Sequence, residues 1–212
     1  MGRMKRLINA LKRWPWCRDS RCRGRARPLL YVIVALLSAH VAAGQAPAVN
    51  QPLPPMNIKE RGELLFENDR FSYRPWSTDF NPGKVHVIQY FAATMSDSET
   101  FAPFTDRLQV TLEPDNYHVT TIVNLDAALW GTTGFAVSEI KASKREFPLS
   151  TIVLDEEGSG ALQWQLGEKG TGLAILDRAG IVTYFTREAL SEIEIEAALD
   201  LIKSLIHGKP RQ

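Results

Sequence analysis

Eight residues, Val85–Ala92 (V-H-V-I-Q-Y-F-A), limit what this chain can fold into more than any other stretch. They are apolar almost throughout, broken only by His86 and Gln89, and Asn81-Pro82-Gly83 marks a turn before them. A strand with one wet face alternates polar and apolar residues. A near-continuous apolar run instead marks a parallel strand covered on both faces. Such a strand obliges the rest of the chain to supply strands beside it and layers above and below it. Directly after it comes Thr94-Met95-Ser96-Asp97-Ser98, a hydroxyl-rich turn into a helix.

The other elements answer that demand. Residues 62–76 predict a β-hairpin that turns at Asn68-Asp69, with Pro75 placing the second strand at an edge. Residues 97–112 have helical composition, with Phe101, Phe104 and Leu108 on one face. Ser96 or Ser98 is the expected N-cap, and Pro103 bends or restarts the helix. A second buried strand is expected over 119–125, a helix over 135–145 ending at Phe147-Pro148, and a third strand over 151–154. Asp155-Glu156-Glu157-Gly158 reads as a solvated acidic turn, and the stretch around Trp164 as turn-rich. Residues 172–176 and 181–185 flank Asp177-Arg178-Ala179-Gly180 as a hairpin. Residues 190–206 form the clearest helix, with a Ser191/Glu194 capping box and Gly208 at its stop. Strands alternating with helices imply an α/β fold, a central mixed sheet flanked by helices with an N-terminal β-hairpin.

Charge divides the chain. Residues 1–44 carry ten Lys/Arg and one acid, whereas residues 45–212 hold fifteen Lys/Arg against twenty-three Asp/Glu. The basic start, the charge-free apolar run over 29–43 and the small residues Ala42-Ala43-Gly44 form a secretory signal. Cleavage is expected after Ala43 or Gly44. The alternative is an uncleaved anchor, although fifteen apolar residues fall short of the roughly 20 needed to span a bilayer. The expected organisation is a leader over 1–44, a linker and lead-in over 45–60, one domain over 61–207 and a tail over 208–212. An acidic exported body argues against nucleic acid as a partner. The membrane enters only through residues 29–43 if the signal is kept.

Both cysteines, Cys17 and Cys22, lie in the basic leader, so residues 45–212 contain no thiol. The body can build no disulfide, thiolate nucleophile or cysteine-bound metal. His86, His118 and His207 lack short ligand spacing, and no cofactor or metal is expected. There is also no Gly-rich phosphate loop and no Gly-x-Ser-x-Gly elbow.

The element order resembles the thioredoxin-like fold in its peroxiredoxin and TlpA-type branch. The likeness lies in Val85–Ala92 before a helix, in Ala174-Ile175-Leu176-Asp177-Arg178-Ala179-Gly180-Ile181-Val182, and in the closing helix. More closely, the chain resembles the YtfJ family of small exported bacterial proteins. The matching segments are Gln51-Pro52-Leu53-Pro54-Pro55, Arg61-Gly62-Glu63-Leu64, Phe71-Ser72-Tyr73, residues 120–126 and Trp164-Gln165-Leu166. This resemblance implies a periplasmic thioredoxin-like protein. It does not supply an activity, since fold alone does not.

In that fold the dithiol opens the first helix, where free N–H groups lower its pKa. Met95 and Ser98 stand at that spacing, and Thr171 takes the place of the cis-proline opposite, or Ser150 in another register. Redox catalysis is therefore not expected. Thr94, Met95, Ser96 and Ser98 form a candidate ligand or partner rim with Asn124, Asp126, Trp130 and Thr171. The same hydroxyls read equally as helix caps, and Asn124 and Asp126 as turn residues. The expectation is a non-redox module in the envelope that binds a protein, peptide or small ligand. The alternatives are an enzyme pairing Asp126 with a Ser or Thr, and a transcriptional regulator, which the export signal opposes.

Overall fold

A computed structural model describes residues 44–78, 83–128, 131–167 and 170–208. The expected leader, Trp130 and most of the expected tail lie outside the described residues. The elements are β1 (Asn57–Glu67), β2 (Arg70–Ser77), β3 (Val85–Ala92), α1 (Met95–Ser98), α2 (Ala102–Thr111), β4 (Tyr117–Asn124), α3 (Thr133–Glu146), β5 (Thr151–Asp155), α4 (Ser159–Gln163), β6 (Gly172–Leu176), β7 (Val182–Thr186) and α5 (Glu192–Ile206). A short 3-10 turn, Pro114–Asn116, precedes β4.

One seven-stranded sheet runs in the order β2-β1-β5-β4-β3-β6-β7. β3, β4 and β5 are mutually parallel, and the outer pairs are antiparallel. The apolar run Val85–Ala92 thus sits inside the sheet, and all but Phe91 of its residues are buried. On one face Val85 and Val87 meet Phe101, Phe104 and Leu108 of the α2 segment and Ile195, Leu199 and Ile202 of α5. Each such side chain contributes about 1.5–3 kcal/mol on burial. Val137 and Ile140 of α3 pack against Val123 and Leu154, with Phe91 touching both clusters.

The opposite face is covered differently. Ile88, Tyr90, Ile122 and Val153 lie under Met56, Trp164 and Leu166. Trp164 is fully buried, and its indole N–H donates to the Pro54 carbonyl at 3.1 Å. Gln163 exchanges two hydrogen bonds with the Asn57 backbone, at 2.8 and 3.0 Å. Asn50 and Gln51 pair with Val182, and Leu53 donates to the Gly180 carbonyl. Residues 45–56 are therefore a strap built into the domain rather than a spacer. The stretch around Trp164 is likewise not a plain turn: it carries α4 and one of the largest side chains of the core.

The hairpin forms as its sequence implies. Asn68 and Asp69 both have positive φ, as a tight two-residue turn between right-twisted strands requires. β2 is an edge strand, where Pro75 removes no ladder bond. Opposite Pro75, β1 bulges between Ile58 and Glu63, with Arg61 and Gly62 at φ +59° and +70°. A Cβ on Gly62 would lie 2.2 Å from the Arg74 carbonyl oxygen, so only glycine fits. The first helix is broken as expected, and Pro103 opens α2. Ser191 and Glu194 close the capping box at the start of α5.

Gly62→Ala is expected to cost more than about 2 kcal/mol, because it adds left-handed strain to a backbone clash. Urea unfolding of the two proteins checks this.

Candidate functional site

The loops that carry the predicted rim converge at one end of the sheet. β3 and β4 run in register to Ala92 and Asn124, and the Ala93 amide donates to the Asn124 carbonyl at 2.8 Å. β6 runs the other way and starts beside Tyr90 through Gly172, which brings Thr171 to the same end. Thr94, Ser96, Asn124, Asp126 and Thr171 are therefore neighbours through the strand register.

Their hydrogen bonds describe a tied-down rim. Thr94, and not Ser96 or Ser98, caps α1: its hydroxyl accepts the Asp97 amide at 3.2 Å and donates to the Asp97 carboxylate at 2.6 Å. The physical reason is phase. The extended strand backbone continues through Thr94, so the last extended residue takes the cap, and Ser96 and Ser98 fall inside the turn, exposed. Asn124 is buried, and its Oδ1 accepts the Asp126 amide at 3.0 Å, an Asx turn. Asp126 itself is exposed. Thr171 is buried and donates to the Arg187 carbonyl at 2.6 Å. Every peptide bond among the described residues is trans, that before Thr171 included. Met95 opens α1 at the position of the missing thiol.

Two polar clusters that the sequence did not single out lie on the strap-covered face. The first is Asp155, only 1% exposed. Its carboxylate accepts from Tyr90 Oη at 2.8 Å, the Gly160 amide at 2.7 Å, and the Ser159 amide and hydroxyl at 3.1 and 3.3 Å. Asp155 is thus a core acceptor, and only Glu156 and Glu157 of the expected acidic turn reach solvent. Burial, reinforced by the Asp155 charge, raises the Tyr90 pKa and keeps the phenol protonated.

The second cluster is a pair of histidines, 32 residues apart in sequence but opposite each other in the β3–β4 register. Their rings meet edge to face, with centroids 4.9 Å apart. His86 Nε2 bonds the Thr120 hydroxyl at 2.8 Å, and His118 Nε2 bonds the Thr151 hydroxyl at 2.9 Å. Burial pushes His86 down to about 3, with the His118 charge a lesser cause. Burial first, then Lys84, lowers His118. Sequence spacing could not pair them; the signal was their shared position as second residue of strands that lie side by side. Among the described residues, no group of three or more His, Cys, Asp or Glu is placed to hold a metal ion.

Residues 48–205 match the family described as "Bacterial protein of unknown function (YtfJ_HI0045)". The chain belongs to this family. It is 32% identical over 178 residues to "Uncharacterized protein YtfJ" of Escherichia coli (strain K12), covering 84% of this chain and 97% of that one. An uncharacterized protein of Haemophilus influenzae is 29% identical over 158 residues, covering 74% and 86%. The fold is that of the thioredoxin-like proteins. The solution structure of a putative protein disulfide isomerase from Bacteroides thetaiotaomicron matches at TM-score 0.51 and 16% identity, over 78% of this chain and 94% of that one. AhpC of Mycobacterium tuberculosis matches at 0.50 and 15%, over 78% and 97%. The family member here keeps that scaffold with Met95 and Ser98 at the dithiol spacing, behind the capping Thr94, and a trans peptide where the cis-proline is expected.

The histidines set an expected pH dependence. Their folded pKa values lie below the unfolded value, so below about pH 6.5 the unfolded chain binds protons that the native state refuses. Stability is complete above that pH and falls on acidification, by up to about 1.4 kcal/mol per pH unit for each histidine. Urea midpoints between pH 7 and pH 5 should show the decline, and His86→Gln should reduce its slope by one proton.

Proposed function

We propose that this protein is exported to the bacterial envelope and works there as a non-redox binding module on a thioredoxin-like scaffold. Its partner is an envelope protein, a peptide or a small ligand, received at the rim formed by residues 94–98, 124–128 and 170–172. The observation that carries this reading is the chemistry of the former redox position. Beside Met95 and Ser98, which stand at the dithiol spacing, Thr94 closes a cap onto Asp97, and Thr171, in place of the cis-proline, is tied to the Arg187 carbonyl. Neither hydroxyl can exchange electrons, and the Asp97 carboxylate that accepts from Thr94 serves to close the helix cap. The basic leader with its apolar run supports export, and the absence of any cysteine beyond Cys22 agrees with a role that uses no thiol.

The exposed Asp126 does not favour the enzyme alternative. Its amide is engaged in the Asn124 turn, and its carboxylate forms no hydrogen bond to a hydroxyl among the described residues.

Photo-crosslinking residues placed at Ser96 and Asp126 in living cells test the reading, with the exposed Val110 of α2 as control. Adducts in the envelope fraction are expected at the two rim positions and not at Val110. The same adducts are expected when Cys17 and Cys22 are replaced by serine. Absence of adducts at both rim positions, equal labelling at Val110, or dependence on the cysteines overturns the proposal.

A further inference from the structure

We propose that the recess at the opposite end of the sheet, where β3 and β4 begin, is a second binding site, for a small monocarboxylate with an apolar body. The recess has a volume of about 590 Å³, within the roughly 300–1,000 Å³ of small-molecule sites. Its lining divides into three kinds of surface. The two His–Thr pairs, His86 with Thr120 and His118 with Thr151, supply hydrogen-bonding groups. A neutral imidazole and a hydroxyl bring two protons between them, and their mutual bond uses one. The half-buried His118–Thr151 pair can therefore present a donor to an anionic oxygen.

The second surface is charged. Glu63 is held by Arg74, whose Nε and Nη2 lie 2.8 and 2.7 Å from one carboxylate oxygen. Lys84 completes the set and makes no ion pair among the described residues. Two cations and one carboxylate leave a single positive charge, set in a body that is otherwise acidic. Lys144, buried on the carbonyls of Pro148 and Ser150, adds to the positive field felt at His118. A carboxylate suits this lining better than a phosphate carrying about −1.5 to −2 near neutrality, because Glu63 stands in the lining and would repel the additional charge. The third surface is apolar: Pro75 and Trp76 form a wall on which a hydrocarbon or aromatic body can lie. This cluster shares no residue with the rim, so the two sites stand or fall separately.

Benzoate is the probe, benzamide its neutral analogue, and inorganic phosphate the alternative anion. The full-length chain has four histidines, so the imidazole NMR signals of His86 and His118 can be followed directly. Benzoate is expected to shift both signals in a saturable manner, while benzamide and phosphate leave them in place. Lys84→Gln, at an exposed position, is expected to weaken benzoate about tenfold, as is Thr151→Val. Lys59→Gln, exposed and outside the recess, should change nothing. No shift with benzoate, an equal response to benzamide, preference for phosphate, or unchanged affinity in Lys84→Gln overturns the assignment.

Discussion

The burial of β3 on both faces is the constraint on which the remaining structure depends. A strand this apolar cannot tolerate water on either side, so the chain must build two covers of about equal competence. The crossover helices provide one, together with α5, through Phe101, Phe104, Leu108, Ile195, Leu199 and Ile202. Among the described residues, the other cover has no long helix in it. It is assembled from the strap 45–56, the one-and-a-half turns of α4 and the buried indole of Trp164, joined by the bond from that indole to Pro54. Short, irregular covers hold only if their backbone polar groups find partners. That explains why the strap is bonded along its length: Gln45 donates to the Gln163 carbonyl, residues 50, 51 and 53 bond Val182 and Gly180, and Asn57, where the strap enters β1, exchanges bonds with the Gln163 side chain.

The strap-covered face also explains where the polar groups go. Its middle rows, Ile88, Tyr90, Ile122 and Val153, are apolar or nearly so, and polar residues gather at its two ends. At one end Asp155 is buried with no cation beside it among the described residues and relies on four donors, including the first amides of α4. Burying a carboxylate is costly unless its lone pairs are filled, and here they are. At the other end two imidazoles are kept neutral by desolvation and bonded to threonines. The difference between the ends is access. Asp155 is sealed beneath Gly160, where any Cβ would strike Tyr90, whereas the histidines border an open recess.

Membership of the YtfJ family and the thioredoxin-like scaffold fix what kind of object this is, without fixing a reaction. The distinction is physical. A thioredoxin fold positions its chemistry at a single turn between strand and helix, and here the cap chemistry of Thr94 occupies that turn. The scaffold survives because the core of β3, β4 and α5 does not depend on the residue at the turn.

Sequence alone determined most of the architecture. The apolar run of β3, the Asn68-Asp69 turn, the interruption at Pro103, and the capping box of α5 are local signals, and each was legible because its cause lies within a few residues. It also placed the rim loops, Thr94 to Ser98 and Asn124 with Asp126, at the ends of their strands. Only the tertiary structure decided which polar residues matter to one another. Asp155 reads as part of an acidic turn until Tyr90, 65 residues earlier, is laid beside it. His86 and His118 read as unrelated until parallel register sets them 4.9 Å apart. The strap reads as a linker until Trp164, 110 residues on, donates to it. Local propensity is written in neighbouring residues, whereas burial and pairing are properties of strands that meet only when the sheet closes.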